Sequence, residues 1–393
     1  MPFEFNYSMN ATSTALFEKF SKLKTSAGNH SPSLTTLKAK MPEIEIKVDA
    51  CFLSNPYATE LFLKYFKKEL LDSGEINNVL EFYPSQNNEI AALVGEHLQV
   101  DPDRIFIGNG ATEVVQAIIH HFVKDKLIVN IPTFSPYYSF ALPHTEVVFY
   151  ELKKEENFRL DPDEYIAFVN QHKPDSIVLI NPNNPDGGYI PHNEMIRIIE
   201  ELSWVPTIII DESFIHFAFE NSSLELPSIA SLIERYPNLH IVKSMSKDFG
   251  IAGIRCGYAI LPAEKVEYLL KTGYLWNSSG LAEYFFRLYT RKDFNIEYEG
   301  VRKKYITESL FFVTELNRIP KIKVYPTKAN FVLVEILNGQ TSDEIATELL
   351  LTYGIYARNC SDKIGLHGQF IRVATRYKEE NEYIIRSLRN IFK

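Results

Sequence analysis

Short runs of aliphatic and β-branched residues, apolar at nearly every position, recur along this chain with helix-length segments between them. Arg104–Gly108, Leu127–Ile131, Val147–Tyr150, Ser176–Ile180, Thr207–Asp211 and His240–Lys243 carry them. A strand wetted on one side alternates apolar and polar residues, whereas one that is apolar throughout is covered on both faces. With room for a crossover helix after each, the pattern predicts βαβ units and a mostly parallel central sheet flanked by helices. Helical patterning marks Ala15–Leu23, Ala58–Leu71 and about Thr112–Val123. Past Ala282 the texture changes to long charged helical stretches, through about Leu316. Two more strand-like runs follow, Asn330–Val334 and Gln369–Val373, before a last helix from Glu379. The expected fold class is α/β: an N-terminal arm over 1–50 packing with the small domain, a large domain over 51–281, and a smaller α+β domain over 282–393.

Charge and cysteine usage remove several functions. A formal net charge of −9 over 393 residues argues against general nucleic-acid affinity, although a local arginine cluster can still oppose the global sign. Cys51, Cys256 and Cys360 lie far apart and form no metal-ligand spacing, so no metal is expected and a reduced, cytoplasmic setting is. No basic stretch followed by an apolar one opens the chain, and no apolar run approaches the ~20 residues of a membrane span. No signal peptide and no membrane partner are expected.

Chemistry concentrates in Ser244-Met-Ser246-Lys247-Asp-Phe-Gly-Ile-Ala-Gly-Ile-Arg255-Cys-Gly-Tyr258, directly after a strand-like run. Two hydroxyls, a lysine and an arginine gather there among three glycines. A lysine that bonds covalently to a phosphorylated aldehyde needs such a set, with hydroxyls and guanidinium for the phosphate and glycines for close backbone approach. Taken alone, the segment reads more readily as a solvated loop; three further motifs, in sequence order, favour the chemical reading. Gly108-Asn-Gly110-Ala111-Thr112 lies between a strand and a helix, where helix amides and the Thr112 hydroxyl face an anion. Pro132-Thr-Phe134-Ser-Pro-Tyr137-Tyr138 offers Phe134 as a flat ring to stack on an aromatic cofactor. Asn181-Pro-Asn-Asn184-Pro-Asp186-Gly187-Gly188 follows another strand, with two prolines and two glycines fixing the turn. Asp211, at the tip of a buried strand, suits a carboxylate held against a protonated ring nitrogen.

In that order these motifs resemble the fold type I, pyridoxal 5'-phosphate (PLP) dependent enzymes of the aspartate aminotransferase superfamily. The resemblance implies that Lys247 is the catalytic lysine. It places the cofactor phosphate on Gly110, Ala111, Thr112, Ser244, Ser246 and Arg255, the phenolic oxygen on Asn184 and the ring nitrogen on Asp211. Tyr83 of Phe82-Tyr83-Pro84 matches a tyrosine that reaches the neighbouring subunit's cofactor phosphate, which implies a homodimer with shared sites. Asp186 stands where the superfamily usually has Thr.

The tail is more specific. Ile355-Tyr-Ala-Arg358-Asn-Cys360, Gly365-Leu366, Phe370-Ile-Arg372-Val-Ala-Thr-Arg376 and Glu380-Asn381 resemble threonine-phosphate decarboxylase, with histidinol-phosphate aminotransferase the next relative. Phe214 agrees, because aminotransferases of this class usually carry Tyr there; Trp276 also fits the decarboxylase. Arg358 and Arg372 are the substrate's anion anchors implied, and Asn29 stands within a segment that helps enclose the substrate. Departures at Ser26-Ala27-Gly28-Asn29 and Ser279 bring in L-serine O-phosphate, one methyl smaller, beside L-threonine O-phosphate. The expected activity is decarboxylation of an amino acid O-phosphate to an aminoalkyl phosphate. The alternatives are an aminotransferase acting on a phosphorylated substrate such as histidinol phosphate, and a non-catalytic sensor on the same fold.

Overall fold

In the computed structural model the described residues are 11–26, 31–275 and 277–393. Their strands are β1 (Val48–Ala50), β2 (Ile105–Gly108), β3 (Lys126–Ile131), β4 (Glu146–Glu151), β5 (Ser176–Ile180), β6 (Thr207–Asp211) and β7 (Leu239–Ser244). β8 (Gly257–Ile260), β9 (Ile322–Val324), β10 (Phe331–Ile336), β11 (Ile355–Asn359) and β12 (Phe370–Ala374) complete them.

The larger compact unit takes in Ser54–Leu310 and Pro326–Asn330. Its seven strands run in the order β2-β8-β7-β6-β5-β3-β4. β4, β3, β5, β6 and β7 pair in parallel, and β8 is antiparallel to both of its neighbours. β5, β6 and β7 are buried at every residue, as their unbroken apolar pattern requires. Helix Ala111–Phe122 packs Val114, Val115, Ile118 and Ile119 into a core with Val129, Val178, Ile209 and Val242 from the sheet.

The smaller unit takes in Met1–Leu53, Phe311–Tyr325 and Phe331–Lys393. Its five-stranded sheet has the order β1-β11-β12-β10-β9, with β1 parallel to β11 and the other pairs antiparallel. Helix Ser342–Tyr353 opens on a capping box between Thr341 and Glu344 and closes on Gly354 in the left-handed region.

The division does not fall at 281/282. It runs between Leu310 and Phe311, inside helix Lys292–Leu316, and it returns the short loop Pro326–Asn330 to the larger unit. Aromatic packing accounts for this. Phe249 stands 5.2 Å from Phe285 and 4.2 Å from Tyr298, ring centroid to centroid, so these helical segments join the core of the larger unit. Charged exteriors mark a change of texture in the sequence, whereas the buried rings decide the partition.

Candidate active site

Register brings the motif loops to one rim of the large sheet. Ile180 pairs with Asp211 and Asp211 with Val242, while Ser244 and Gly108 both pair with Gly257. The loops after β2, β3, β5, β6 and β7 therefore leave from the carboxyl ends of strands, where open α/β sheets bind ligands. Because β8 runs backwards, it begins at this rim, and the segment containing Arg255 arrives there too.

Gly110, at φ +80°, precedes helix Ala111–Phe122 and supplies no side chain to cap its amides. A Cβ on Gly110 would sit 2.4 Å from Arg255 Nη2, and one on Gly257 would sit 2.7 Å from the Ala111 amide nitrogen. Ser244 and Ser246 are buried beside them. Arg255 takes φ +65°, and its Nη1 donates to the Ala252 carbonyl at 3.0 Å. Gly110, Ala111, Ser244 and Arg255 are thus brought together. Thr112 is exposed, and the helix starts one residue earlier than its sequence pattern suggests. The loop is fixed by Glu113, whose carboxylate accepts from the Asn109 amide and from Asn277 Nδ2, both at 2.6 Å.

At the tip of β6, Asp211 is buried and accepts from Tyr137 Oη and from the Ser213 amide, each at 2.7 Å. Burial raises its pKa, and these donors together with the Lys243 charge oppose that rise. Tyr137, fully buried against this carboxylate, has its own pKa pushed well up by burial and then by the Asp211 charge, so it stays a donor. Phe214 and Asn184 are buried; Phe134 is half-buried against the core that Ala111–Phe122 covers. The backbone carbonyl of Lys247 accepts from the Asn55 amide at 2.8 Å, which fixes the chain at the lysine.

The asparagine loop is locked by its own side chains. Asn181 bonds both backbone groups of Ile190, at 2.9 and 2.8 Å. Asn183 donates to the Pro132 carbonyl at 2.9 Å and accepts from Thr133 Oγ1 at 2.9 Å, which ties this loop to the one after β3. Asp186 accepts from Asn183 Nδ2 and, at 2.7 Å, from the Gly188 amide. Burial carries its pKa up to about 7 against those donors.

In the smaller unit, Arg358 and Arg372 occupy directly opposed positions on β11 and β12, and both are buried. Arg372 donates to the Cys51 carbonyl at 3.0 Å and lies 5.2 Å from the Phe331 ring centroid. Arg358 meets Asp362 at 2.6 Å and donates to the Asn359 carbonyl at 2.6 Å. Like charges directly across a ladder repel. The two guanidiniums form a donor set suited to anionic groups.

These donors fit a phosphorylated pyridine aldehyde. A cup that any Cβ would fill lies at an uncapped helix start, and a buried, hydrogen-bonded carboxylate lies three strands away in the same sheet. Tyr83 is 92% exposed. Asn29 and Trp276 lie outside the described residues. Among the described residues no group of three or more His, Cys, Asp or Glu forms a metal site. Sequence reasoning missed Tyr137 as the partner of Asp211, Glu113 as the loop anchor, and the pairing of Lys243 with Asp248 on either side of Lys247 in sequence. Only Lys243 left a trace, as a charge ending an apolar run; Tyr137 meets Asp211, and Asn277 meets Glu113, across distant segments, while Asp248 pairs with a residue only five positions away.

The sequence model of the aminotransferase class I and II family matches residues 52–388, so the chain belongs to that family. An L-serine phosphate decarboxylase of Campylobacter jejuni is 54% identical over 376 residues, covering 96% of each chain. A solved structure of a decarboxylase from Sulfurospirillum multivorans superposes with a TM-score of 0.94 at 46% identity, covering 98% of each chain. The histidinol-phosphate aminotransferase of Clostridium acetobutylicum gives a TM-score of 0.75 at 29% identity, over 88% of this chain and 98% of that one.

Proposed function

We propose that the protein is a PLP-dependent decarboxylase that converts L-serine O-phosphate to ethanolamine phosphate and CO2, acting as a cytoplasmic homodimer with shared sites. The observation that carries this is the opposed, buried pair Arg358 and Arg372, which suits a substrate with two anionic ends. Near full-length similarity to an L-serine phosphate decarboxylase selects among such substrates. Phe214, which has no hydroxyl to offer a cofactor, favours decarboxylation over amino transfer.

Pyridoxal 5'-phosphate, when bound, supplies a conjugated ring that accepts the electron pair left at Cα. The Ala111 and Thr112 amides at the Gly110 turn, with Ser244, Ser246 and Arg255, would hold its phosphate, and Tyr83 of a second copy would reach the same group. Asp211 would keep a proton on the ring nitrogen, Asn184 would donate to the phenolic oxygen, and Phe134 and Phe214 would lie against the ring. Lys247 would bond the aldehyde carbon of the cofactor and, once displaced by the substrate amine, would be the group that moves a proton to Cα. Arg358 and Arg372 would bind the carboxylate and phosphate ends of the substrate and so orient its Cα–carboxylate bond, and Asn29 would help enclose the substrate. The reaction would exchange the carboxylate on Cα, lost as CO2, for one proton.

The test incubates PLP-loaded protein separately with L-serine O-phosphate and L-threonine O-phosphate, following CO2 release and product phosphorus NMR. CO2 with ethanolamine phosphate from the serine substrate is expected, and Lys247→Ala should lower the rate more than about a thousandfold. Absence of CO2 from either, with conversion of the cofactor to pyridoxamine phosphate by histidinol phosphate, would establish the aminotransferase instead.

A further inference from the structure

Lys243 and Asp248 bracket Lys247 in sequence, and both side chains lie almost wholly out of solvent, at 3% and 0% exposure. The Lys243 ammonium forms an ion pair with Asp248 Oδ2 and donates a second hydrogen bond to the Glu212 carbonyl at 3.2 Å. Glu212 is the residue after Asp211, and Asp248 is the residue after Lys247. One ammonium thus joins the chain at the acid to the chain at the lysine.

The neighbouring groups have other partners. The Glu212 carboxylate accepts from Ser228 Oγ at 2.6 Å and from the Ile229 amide at 2.8 Å. Arg302 is held by Glu299 and by the carbonyls of His216 and Leu224. His216 Nδ1 lies 2.9 Å from Tyr298 Oη and 3.6 Å from Asp248 Oδ2. Burial, followed by the charges of Lys243 and Arg302, holds its pKa well below the usual range, so the ring is neutral and Lys243 is the cation that serves Asp248. Two buried charges carry a desolvation penalty that apolar side chains of similar volume avoid, so folding alone does not call for them here.

We infer that Lys243 and Asp248 are positioning residues that hold Lys247 and Asp211 in fixed relation for the cofactor. Resting on the PLP reading above, this deepens it. The Lys243 charge also favours the ionised form of Asp211, the form that retains a proton on a ring nitrogen.

The test uses the full-length protein as Lys243→Met/Asp248→Leu, a double substitution that removes both charges, and as Lys243→Arg. Denaturant midpoints of the cofactor-free forms report folding. PLP dissociation constants and visible circular dichroism of the bound cofactor report positioning, and kcat and KM for L-serine O-phosphate report its consequence. The double variant should fold with the parent's midpoint or a higher one. It should bind PLP about ten- to a hundredfold more weakly, show altered visible dichroism and lose kcat far more than KM changes. Lys243→Arg should restore most of the affinity. A double variant with the parent's affinity and dichroism would overturn the inference alone. A parent that gives no saturable PLP signal would overturn both this inference and the cofactor reading.

Discussion

Asp186 keeps a carboxyl group in a place where the superfamily resemblance expects a hydroxyl, and its surroundings set a pH dependence. The side chain is buried, and its pKa rises from the ordinary 3.8 to about 7, chiefly through burial. Between those values the folded protein keeps a proton that the unfolded chain has lost. Stability contributed here therefore falls as pH rises through that window and levels off above it, by about 4 kcal/mol at most. Asp186→Asn removes the titration but turns an amide donor toward Asn183 Nδ2 or the Gly188 amide, a mismatch worth about 1–3 kcal/mol at every pH. The variant should be less stable at pH 5, and its deficit should shrink by pH 8, as read from urea midpoints; parallel pH profiles would contradict this. In the sequence, Asp186 was legible as a departure from a motif. Its protonation was not, because no local pattern shows that this side chain is buried.

At the level of elements, the reversed strand β8 leaves no room for a side chain at Gly257. Gly257 packs its backbone against the start of helix Ala111–Phe122, and an added Cβ would lie 2.7 Å from the Ala111 nitrogen and 3.0 Å from the Gly110 carbonyl carbon. Both are main-chain atoms, so no side-chain rotation relieves the clash. Gly257→Ala should push β8 from the helix start, lower the denaturant midpoint and weaken PLP binding at least about tenfold, measured by cofactor titration. The parallel strands β5 and β6 matched their expected limits residue for residue, because strands covered on both faces announce themselves by continuous apolar sequence. β8 did not, since Gly257-Tyr258-Ala-Ile260 follows a glycine-rich, polar stretch and reads as the tail of the lysine motif. β11 was hidden similarly: its Tyr356, Arg358 and Asn359 look like a binding motif, although all five residues of the strand are buried.

At the scale of the whole molecule, the exposed apolar side chains Leu80 (70%), Phe82 (63%) and Tyr83 (92%) lie close together in sequence, an exposure that a second copy of the chain would remove. The parent should sediment at twice its chain mass of 45.3 kDa, and Leu80→Asp/Phe82→Asp should yield monomers that lose PLP on dialysis. An active parent monomer would end the assignment of Tyr83 to a neighbour's cofactor. The boundary between the two compact units lies inside a helix, where the texture of the sequence does not mark it. It depends on rings such as Phe285 and Tyr298 stacking around Phe249, which sequence spacing does not register. Every chemical loop of the larger unit leaves from one rim of its sheet, and this has a practical corollary for anyone labelling the protein. The opposite rim, where β6 is entered through the exposed Ser203-Trp204 turn, is insulated from the chemistry by the length of the strands. A short affinity peptide or fluorophore site spliced between those two residues should leave kcat within about twofold of the parent's, making that edge a handle by which the enzyme can be immobilised with its working face outward.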